Sequence, residues 1–176
     1  MSEILIHPPR TILEVWKGLP EGTLCQIIND ELIMSPSPIT IHQIITGEIY
    51  VEIALHLKKA KLGKIFIAPY DVHFSNKNIL QPDIAFIRNE NRNKIRENGL
   101  FGAPDIVIEI LSPSTSHLDY DDKKLIYERY GVQEYFIVEP NSKMVNSFFL
   151  NNGEYEVQEI TESKIQSLVL NTEINF

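Results

Sequence analysis

Ile106-Val107-Ile108-Glu109-Ile110-Leu111 is a run of apolar, mostly β-branched residues that a single carboxylate interrupts. The run predicts a β-strand buried on both faces, because apolar residues fill consecutive positions instead of alternate ones. Successive side chains of a strand point to opposite faces, which places Glu109 on an apolar face with Val107 and Leu111. Burial of an isolated carboxylate is costly, so we expect Glu109 to be paired, protonated or bound to a cation.

A second acid heads an upstream segment of the same form, Gln81-Pro82-Asp83-Ile84-Ala85-Phe86-Ile87. Pro82 suits the start of a strand because it has no N–H to donate to a neighbour, which places Asp83 at the first position or two of that strand. If the two strands are neighbours, Asp83 and Glu109 converge. Paired carboxylates suit Mg²⁺ or Mn²⁺, which bind waters and substrate phosphates as well, so the pair indicates phosphodiester chemistry.

The segment 112–131 predicts a helix. Ser116 and Asp119 have the spacing of a capping box, acids in the first turn suit the helix dipole, and Gly131 is a natural terminator. Lys123 on this helix lies one turn from Asp119 and one turn from Tyr127, beside an apolar stripe that should face the sheet. A lysine at this position can reach the two carboxylates.

Periodicity and turn residues predict the remaining elements. They are a short helix at 11–18, a hairpin over 23–35 that turns at Asn29-Asp30, a helix at 38–60, strands at 64–74, 82–87 and 105–111, the helix at 118–130, a strand at 133–139, and a C-terminal β-hairpin from 144–150 and 155–160. From residue 38 onward the order is αβββαβ, an α/β chain with a mixed α+β sheet. The length and the lack of a linker predict a single domain over residues 1–176.

The ordered set of motifs resembles the Uma-two family of restriction endonucleases, which is placed in the PD-(D/E)XK nuclease superfamily. The resembling residues are 29–38 with His42, Pro82-Asp83, Ala103-Pro104-Asp105, Glu109 to Ser114, Asp119, Lys123, Tyr127 and Gly131 to Tyr135. The resemblance implies a restriction-endonuclease-like core and a hydrolase activity, that of a Mg²⁺- or Mn²⁺-dependent endonuclease. Nucleic acid, expected to be DNA, is the implied substrate.

The resemblance also implies roles for individual residues. Asp83 and Glu109 would be the two metal ligands, helped by the backbone carbonyl of Ile110. The superfamily places its lysine two residues after the second acid, where this chain has Leu111. The expected catalytic lysine is therefore Lys123, as in superfamily variants whose lysine has migrated to the following helix.

Three further residues are expected near the site. Family members commonly carry Glu where this chain has Gln26, and an amide cannot supply that charge, so one-metal chemistry is expected. His42 lies near the start of a helix, where histidine more often packs than binds a ligand, although the resemblance places it near the site. Asp119 is expected to act as a helix cap.

Net charge is the main argument against a nuclease, because −8 at pH 7 repels a phosphate backbone. The single Cys25 excludes an internal disulfide and fits a reducing compartment. No secretory signal is evident at the N-terminus, and no apolar run approaches the roughly 20 residues of a membrane span. We therefore expect a cytoplasmic protein without a membrane partner.

Two other functions remain open. A binding or assembly module that keeps the fold without catalysis is favoured by the acidic charge and by Gln26. A hydrolase such as a glycosidase could use the same carboxylate pair, but it would need no metal and would leave Lys123 without a role. Metal dependence and Lys123 therefore discriminate among the three. The sequence leaves open DNA versus RNA, any recognition sequence, and whether a homodimer forms.

Overall fold

Four α-helices and fifteen strands build the part of the chain that the computed structural model describes, residues 8–20, 22–113 and 116–176. The helices are α1 (Ile12–Lys17), α2 (Thr40–Ala60), α3 (Ser116–Tyr120) and α4 (Asp122–Tyr130), with a 3₁₀ helix at Asn89–Lys94. The strands are β1 (Cys25–Ile28), β2 (Glu31–Met34), β3 (Gly63–Ile67), β4 (Val72–Ser75), β5 (Asn78–Leu80), β6 (Ile84–Arg88), β7 (Ile95–Arg96), β8 (Gly99–Phe101), β9 (Ile106–Ile110), β10 (Glu134–Val138), β11 (Met144–Asn151), β12 (Glu154–Val157), β13 (Thr161–Glu162), β14 (Lys164–Ser167) and β15 (Thr172–Asn175). Among these helices, none is both long enough and apolar enough to cross a membrane.

The central sheet has the strand order β12-β11-β10-β9-β6-β3, with β13 added beside β11. β3, β6 and β9 pair antiparallel, whereas β9 and β10 pair parallel. A parallel pair needs a crossover connection, which α3 and α4 supply here. The succession α2, β3, β6, β9, α4 and β10 confirms the predicted αβββαβ core.

A second sheet, ordered β2-β1-β5-β4-β8-β7, lies beside the core. Its β1–β2 hairpin turns at Asn29 and Asp30, whose φ angles are 52° and 69°. Positive φ at both central residues is what a tight two-residue hairpin turn requires, and Asn and Asp tolerate it better than most residues. The N-terminal hairpin predicted from Asn29-Asp30 is confirmed.

The strand predicted at 64–74 is wrong, because two strands of different sheets occupy this segment. β3 pairs with β6 in the central sheet, and β4 pairs with β5 and β8 in the second sheet. Pro69 lies between β3 and β4, and a proline in a central strand would leave a ladder hydrogen bond unmade. The chain uses this break to pass from one sheet to the other.

The single helix predicted at 118–130 is also interrupted. α3 ends at Tyr120 and α4 begins at Asp122, because Asp121 between them leaves the helical region with φ −108° and ψ −90°. Gly131 ends α4 in the left-handed region, with φ 85°, as predicted for this terminator. Asp119 and Lys123 therefore lie on two helices that abut at a break.

Both faces of β9 are buried, as the opening stretch predicts. Ile108 and Ile110 pack in the same apolar cluster as Ile45 and Ile49 of α2. Val107 packs on the other face, in the cluster that includes residues 126 and 127 of α4. Burial of each such side chain contributes about 1.5–3 kcal/mol, so the two helices hold β9 and its carboxylate between two apolar layers.

A further hairpin of β14 and β15 follows the predicted hairpin of β11 and β12, and Glu134 at the start of β10 binds it to the core. Its buried carboxylate accepts hydrogen bonds from the hydroxyl of Ser167 and from the backbone N–H groups of Leu168 and Val169. The sequence pattern does not predict this hairpin, because its position depends on hydrogen bonds to Glu134, which is distant in the chain.

Candidate active site

Asp83 and Glu109 lie side by side where β6 begins and β9 ends. The antiparallel register places Ile84 opposite Ile108, so the residues that flank this pair, Asp83 and Glu109, share one edge of the sheet. The backbone nitrogen of Asp83 lies 3.4 Å from Glu109 Oε2. Asp83 immediately precedes β6 instead of lying within it, because Pro82 keeps the ladder from starting earlier.

The carboxylate of Asp83 is fixed by two donors. Its Oδ2 accepts a hydrogen bond from the backbone N–H of Ile110 at 2.8 Å and lies 3.2 Å from Nε2 of His42. His42 lies in the first turn of α2, on its buried face, and Thr46 Oγ1 donates to the His42 carbonyl at 2.7 Å. Burial lowers the pKa of His42, but the hydrogen bond to Asp83 and the charges of Asp83 and Glu109 together raise it above its ordinary value.

Glu109 is 2% exposed and its Oε1 has two polar partners. The hydroxyl of Tyr127 donates to Oε1 at 2.6 Å, and Lys123 Nζ lies 3.0 Å away. Burial raises the pKa of Glu109 to about 8, because desolvation of the carboxylate outweighs the attraction of the Lys123 ammonium. Without a metal ion, this carboxyl holds a proton more readily than an ordinary glutamate does.

Lys123 joins two buried acids. Its Nζ lies 2.8 Å from Asp119 Oδ1, across the break between α3 and α4. Burial by itself lowers the pKa of Lys123, but the carboxylates of Glu109 and Asp119 raise it above the ordinary value. Lys123 therefore stays an ammonium ion, which donates hydrogen bonds and does not accept protons. Asp119, which we expected to cap a helix, instead has a buried carboxylate directed at this lysine.

Gln26 of β1 lines the same cavity as a neutral group. Its Oε1 accepts from the backbone N–H of Gln81 at 2.9 Å, and its Nε2 lies 3.4 Å from Ser35 Oγ. Gln81 in turn donates from Nε2 to Asp71 at 2.8 Å. The amide thus both donates and accepts, and it adds no negative charge beside Asp83.

The predicted site residues share one cavity of about 660 Å³. Its polar lining includes Gln26, His42, Asp83, Glu109, Asp119 and Lys123, together with Ile110. The remaining lining is largely apolar and includes the prolines at positions 36, 38, 69 and 113. A pocket of this size, with a few converging polar groups on an apolar wall, has the form of a small-ligand site.

The donor set fits a hard divalent cation. Two carboxylates that project into one cavity, together with waters and substrate phosphate, are what Mg²⁺ commonly binds. Among residues 8–20, 22–113 and 116–176, no group of three or more His, Cys, Asp or Glu side chains is arranged to hold a metal, as a closed zinc site would require. Asp83, Glu109 and the Ile110 carbonyl are therefore the groups that could hold an ion.

The sequence places Tyr127 one turn from Lys123 but does not predict the hydrogen bond of Tyr127 to Glu109. A signal was available, because Asp119, Lys123 and Tyr127 recur at intervals of four residues and such residues share one helix face. The prolines of the cavity lining had no such signal, since three separate segments of the chain bring them together.

Comparisons with known proteins identify the fold and the family of the chain. The fold is similar to that of a crystal structure described as "a putative nuclease belonging to DUF820 from Anabaena variabilis ATCC 29413", with a TM-score of 0.75 and 23% sequence identity over 93% of this chain and 92% of that chain. This likeness shows a shared fold. No curated protein matches the chain. A family model described as "Putative restriction endonuclease" matches residues 13–175, nearly the full chain, which therefore belongs to the Uma2 family.

Proposed function

We propose that the protein is a Mg²⁺- or Mn²⁺-dependent endonuclease that hydrolyses phosphodiester bonds of nucleic acid. One observation carries the proposal, the convergence of Asp83, Glu109 and Lys123 on a single cavity. Family membership supports nuclease chemistry at the level of class. A glycosidase is disfavoured, because it would give no role to a lysine buried between two acids.

Asp83 and Glu109 would hold the metal through their carboxylates, with the Ile110 carbonyl as a third oxygen ligand. A bound ion would polarise the phosphoryl oxygen and lower the pKa of a bound water. The chain prepares this position in advance, because the Ile110 N–H fixes one oxygen of Asp83 and the Tyr127 hydroxyl fixes one oxygen of Glu109. Fixed ligands need little reorganisation when the ion enters.

Lys123 would stabilise the negative charge that develops on the phosphate and would orient the attacking water. Its raised pKa favours this role over removal of a proton from the water, since the ammonium form persists at neutral pH. Asp119 would be a positioning residue, which holds the ammonium at 2.8 Å while Glu109 lies 3.0 Å from the same nitrogen. Asp83 and Glu109 would thus bind the metal, and Lys123 would stabilise the charge on the phosphate.

The experiment is a cleavage assay of the purified protein on plasmid, linear duplex and single-stranded nucleic acid, with Mg²⁺, with Mn²⁺ and with EDTA. We expect cleavage that needs the metal and is lost in Asp83→Ala. Asp30→Ala is the matched control, because Asp30 is an exposed aspartate of a hairpin turn that pairs with Lys77. Metal-independent cleavage, or equal activity of the two variants, would contradict the proposal.

A catalytically inactive binding or assembly module is the second candidate. Gln26 favours it, because its neutral amide stands where an acid could have held a second ion, and so does the net charge of −8. This candidate predicts binding of nucleic acid or protein without turnover at any metal concentration.

A further inference from the structure

A second cavity of about 560 Å³ lies next to the candidate active site. Pro69 and Gln81 line both cavities, so the two spaces adjoin across these residues. None of the groups assigned above to metal binding or charge stabilisation lines the second cavity. The second cavity therefore has no role in the proposed chemistry and is available to bind another part of the substrate.

Aromatic and amide groups line this second cavity. Trp16 of α1 and Tyr70 contribute rings, and the Tyr70 ring is backed by Phe66, stacked at 4.2 Å with an interplanar angle of 6°. The Tyr70 hydroxyl is buried and has no hydrogen-bond partner among the described residues. Asn98 and Gln81 add amide groups to the lining. Flat rings with nearby amides suit a nucleobase, which offers a face for stacking and an edge for hydrogen bonds.

Access to the reactive groups favours a thin substrate. The side chains of Lys123 and Glu109 are 7% and 3% exposed, and that of Asp83 is 18% exposed. These groups can be reached only from within the cavity. A duplex is a stiff rod with a persistence length of about 50 nm, which cannot bend one phosphate into such a space, whereas a single strand can splay a nucleotide out of its stack.

Few basic side chains line the two cavities, which also argues against a duplex substrate. Lys17 and Lys123 are the only lysine or arginine side chains among the described residues that line either cavity. Proteins that grip duplex DNA commonly neutralise about 6–10 phosphates with basic side chains. Two cations cannot do this, and the acids Asp71 and Glu97 also line the second cavity, so stacking and a bound metal would have to supply the affinity.

We propose that the substrate is a single strand or unpaired end of nucleic acid, with one base in the second cavity against Trp16 and Tyr70 and a neighbouring phosphate at Asp83 and Glu109. The inference rests on the nuclease function proposed above, which it narrows to a substrate class. DNA and RNA strands share the required chemistry, and separate arms of the test distinguish them.

The chain provides its own probe, because Trp16 is its single tryptophan. Intrinsic fluorescence is titrated with a short single-stranded oligonucleotide, as DNA and as RNA, and with a duplex of the same sequence, in EDTA and in Ca²⁺. We expect the single strand of at least one type to change the Trp16 emission and to bind about tenfold or more tightly than the duplex. With two cations near the strand, the salt dependence should be shallow, with a slope of magnitude about 2 or less.

Variants of Tyr70 distinguish a loss of base stacking from a loss of folding. Tyr70→Leu should weaken single-strand binding about tenfold, as expected for loss of one base–aromatic contact, and Tyr70→Phe should stay within about threefold of wild type. Tyr130→Leu is the matched control, a partly buried tyrosine that packs on Phe74 outside both cavities. It should bind like wild type.

Equal or tighter binding of the duplex, or single-strand binding that leaves Trp16 emission unchanged, would overturn the inference. So would equal losses in Tyr70→Leu and Tyr130→Leu. Because binding is measured without turnover, these outcomes are independent of the cleavage assay, which alone decides whether the protein is a nuclease.

Discussion

Lys123 Nζ and Glu109 Oε1 lie 3.0 Å apart, in surroundings where 7% and 3% of the two side chains are exposed. The lysine comes from α4, whereas Leu111, and not a lysine, stands two residues after Glu109, just beyond the end of β9. Helix α4, packed on the sheet, thus brings to Glu109 an ammonium group that the strand itself does not supply. The proposed roles in metal binding and charge stabilisation therefore belong to different side chains, and single substitutions can test them separately.

Asp83→Ala should abolish divalent-metal binding together with any cleavage. Asp83 contributes the more exposed carboxylate of the pair, and its Oδ2 contacts both His42 and the Ile110 N–H. Calorimetric titration with Mn²⁺ measures the effect. Binding by Asp83→Ala and by Glu109→Ala at the strength of wild type would show that no metal site exists here.

Lys123→Met should keep metal binding nearly intact and lower turnover by about 10²-fold or more, as expected for loss of a charge-stabilising group. Lys124→Met is the control, since the Lys124 ammonium lies over the Phe148 ring, 4.5 Å from its centroid, and away from the acids. Single-turnover cleavage kinetics distinguish the two, and melting curves verify that both fold. Equal activity of the two variants would show that Lys123 is not the migrated lysine.

Glu109 should make the stability of the metal-free protein fall as pH rises. Its folded pKa, about 8, exceeds its ordinary value of 4.5, so the folded state binds more protons than the unfolded state within this window. Stability is then highest below pH 4.5 with respect to this group and is lost as pH rises through about 8, by up to about 1.4 kcal/mol per pH unit.

Glu109→Gln tests that expectation, because Gln resembles the protonated acid. In EDTA the variant should melt close to wild type at pH 4, where Glu109 is protonated in the folded state, and above it at pH 7. At pH 7, Mn²⁺ at about 1,000 times its Kd should reverse the order, since such a ligand stabilises the native state by about 4.1 kcal/mol and only wild type binds it. A variant that melts well below wild type in EDTA at both pH values would assign Glu109 to a structural ion pair instead.

Tyr127→Phe should weaken metal binding without leaving a cavity in the core. The substitution removes the 2.6 Å hydrogen bond to Glu109 but keeps a ring against Phe74 and Tyr135. Since that hydrogen bond lowers the pKa of Glu109, its loss should move the onset of Mn²⁺ binding to higher pH and reduce affinity or activity by about 10-fold.

Tyr120→Phe provides the comparison for Tyr127, because the Tyr120 hydroxyl accepts a hydrogen bond from Asn146 at an exposed position. It should leave the pH profile of Mn²⁺ binding where wild type has it. A matching shift in both variants would remove Tyr127 from the site.

Local signals in the sequence predicted the elements that carry the site. The apolar run around Glu109 predicts β9, and the spacing of apolar residues predicts the buried face of α2. Lys123 was predicted beside the acids because it borders the apolar stripe of its helix. Each of these signals depends on residues close together in the chain, where periodicity reports burial directly.

What the sequence missed depends on distant partners. The hairpin of β14 and β15 is held by Glu134, more than thirty positions earlier in the chain. The second cavity gathers Trp16, Tyr70 and Asn98 from three separate segments. No pattern within a short window reports such contacts, because pairing across the fold, and not local preference, determines them.

The parallel pairing of β9 and β10 has a consequence for the order in which the protein assembles. β3, β6 and β9 join through antiparallel contacts, but β10 can dock on β9 only after the chain has crossed over through α3 and α4. Contacts that close long loops form slowly. We therefore expect Glu109 and Lys123 to remain hydrated until this docking step, so that a nascent or partly folded chain would carry the acids and the lysine without a competent nuclease site.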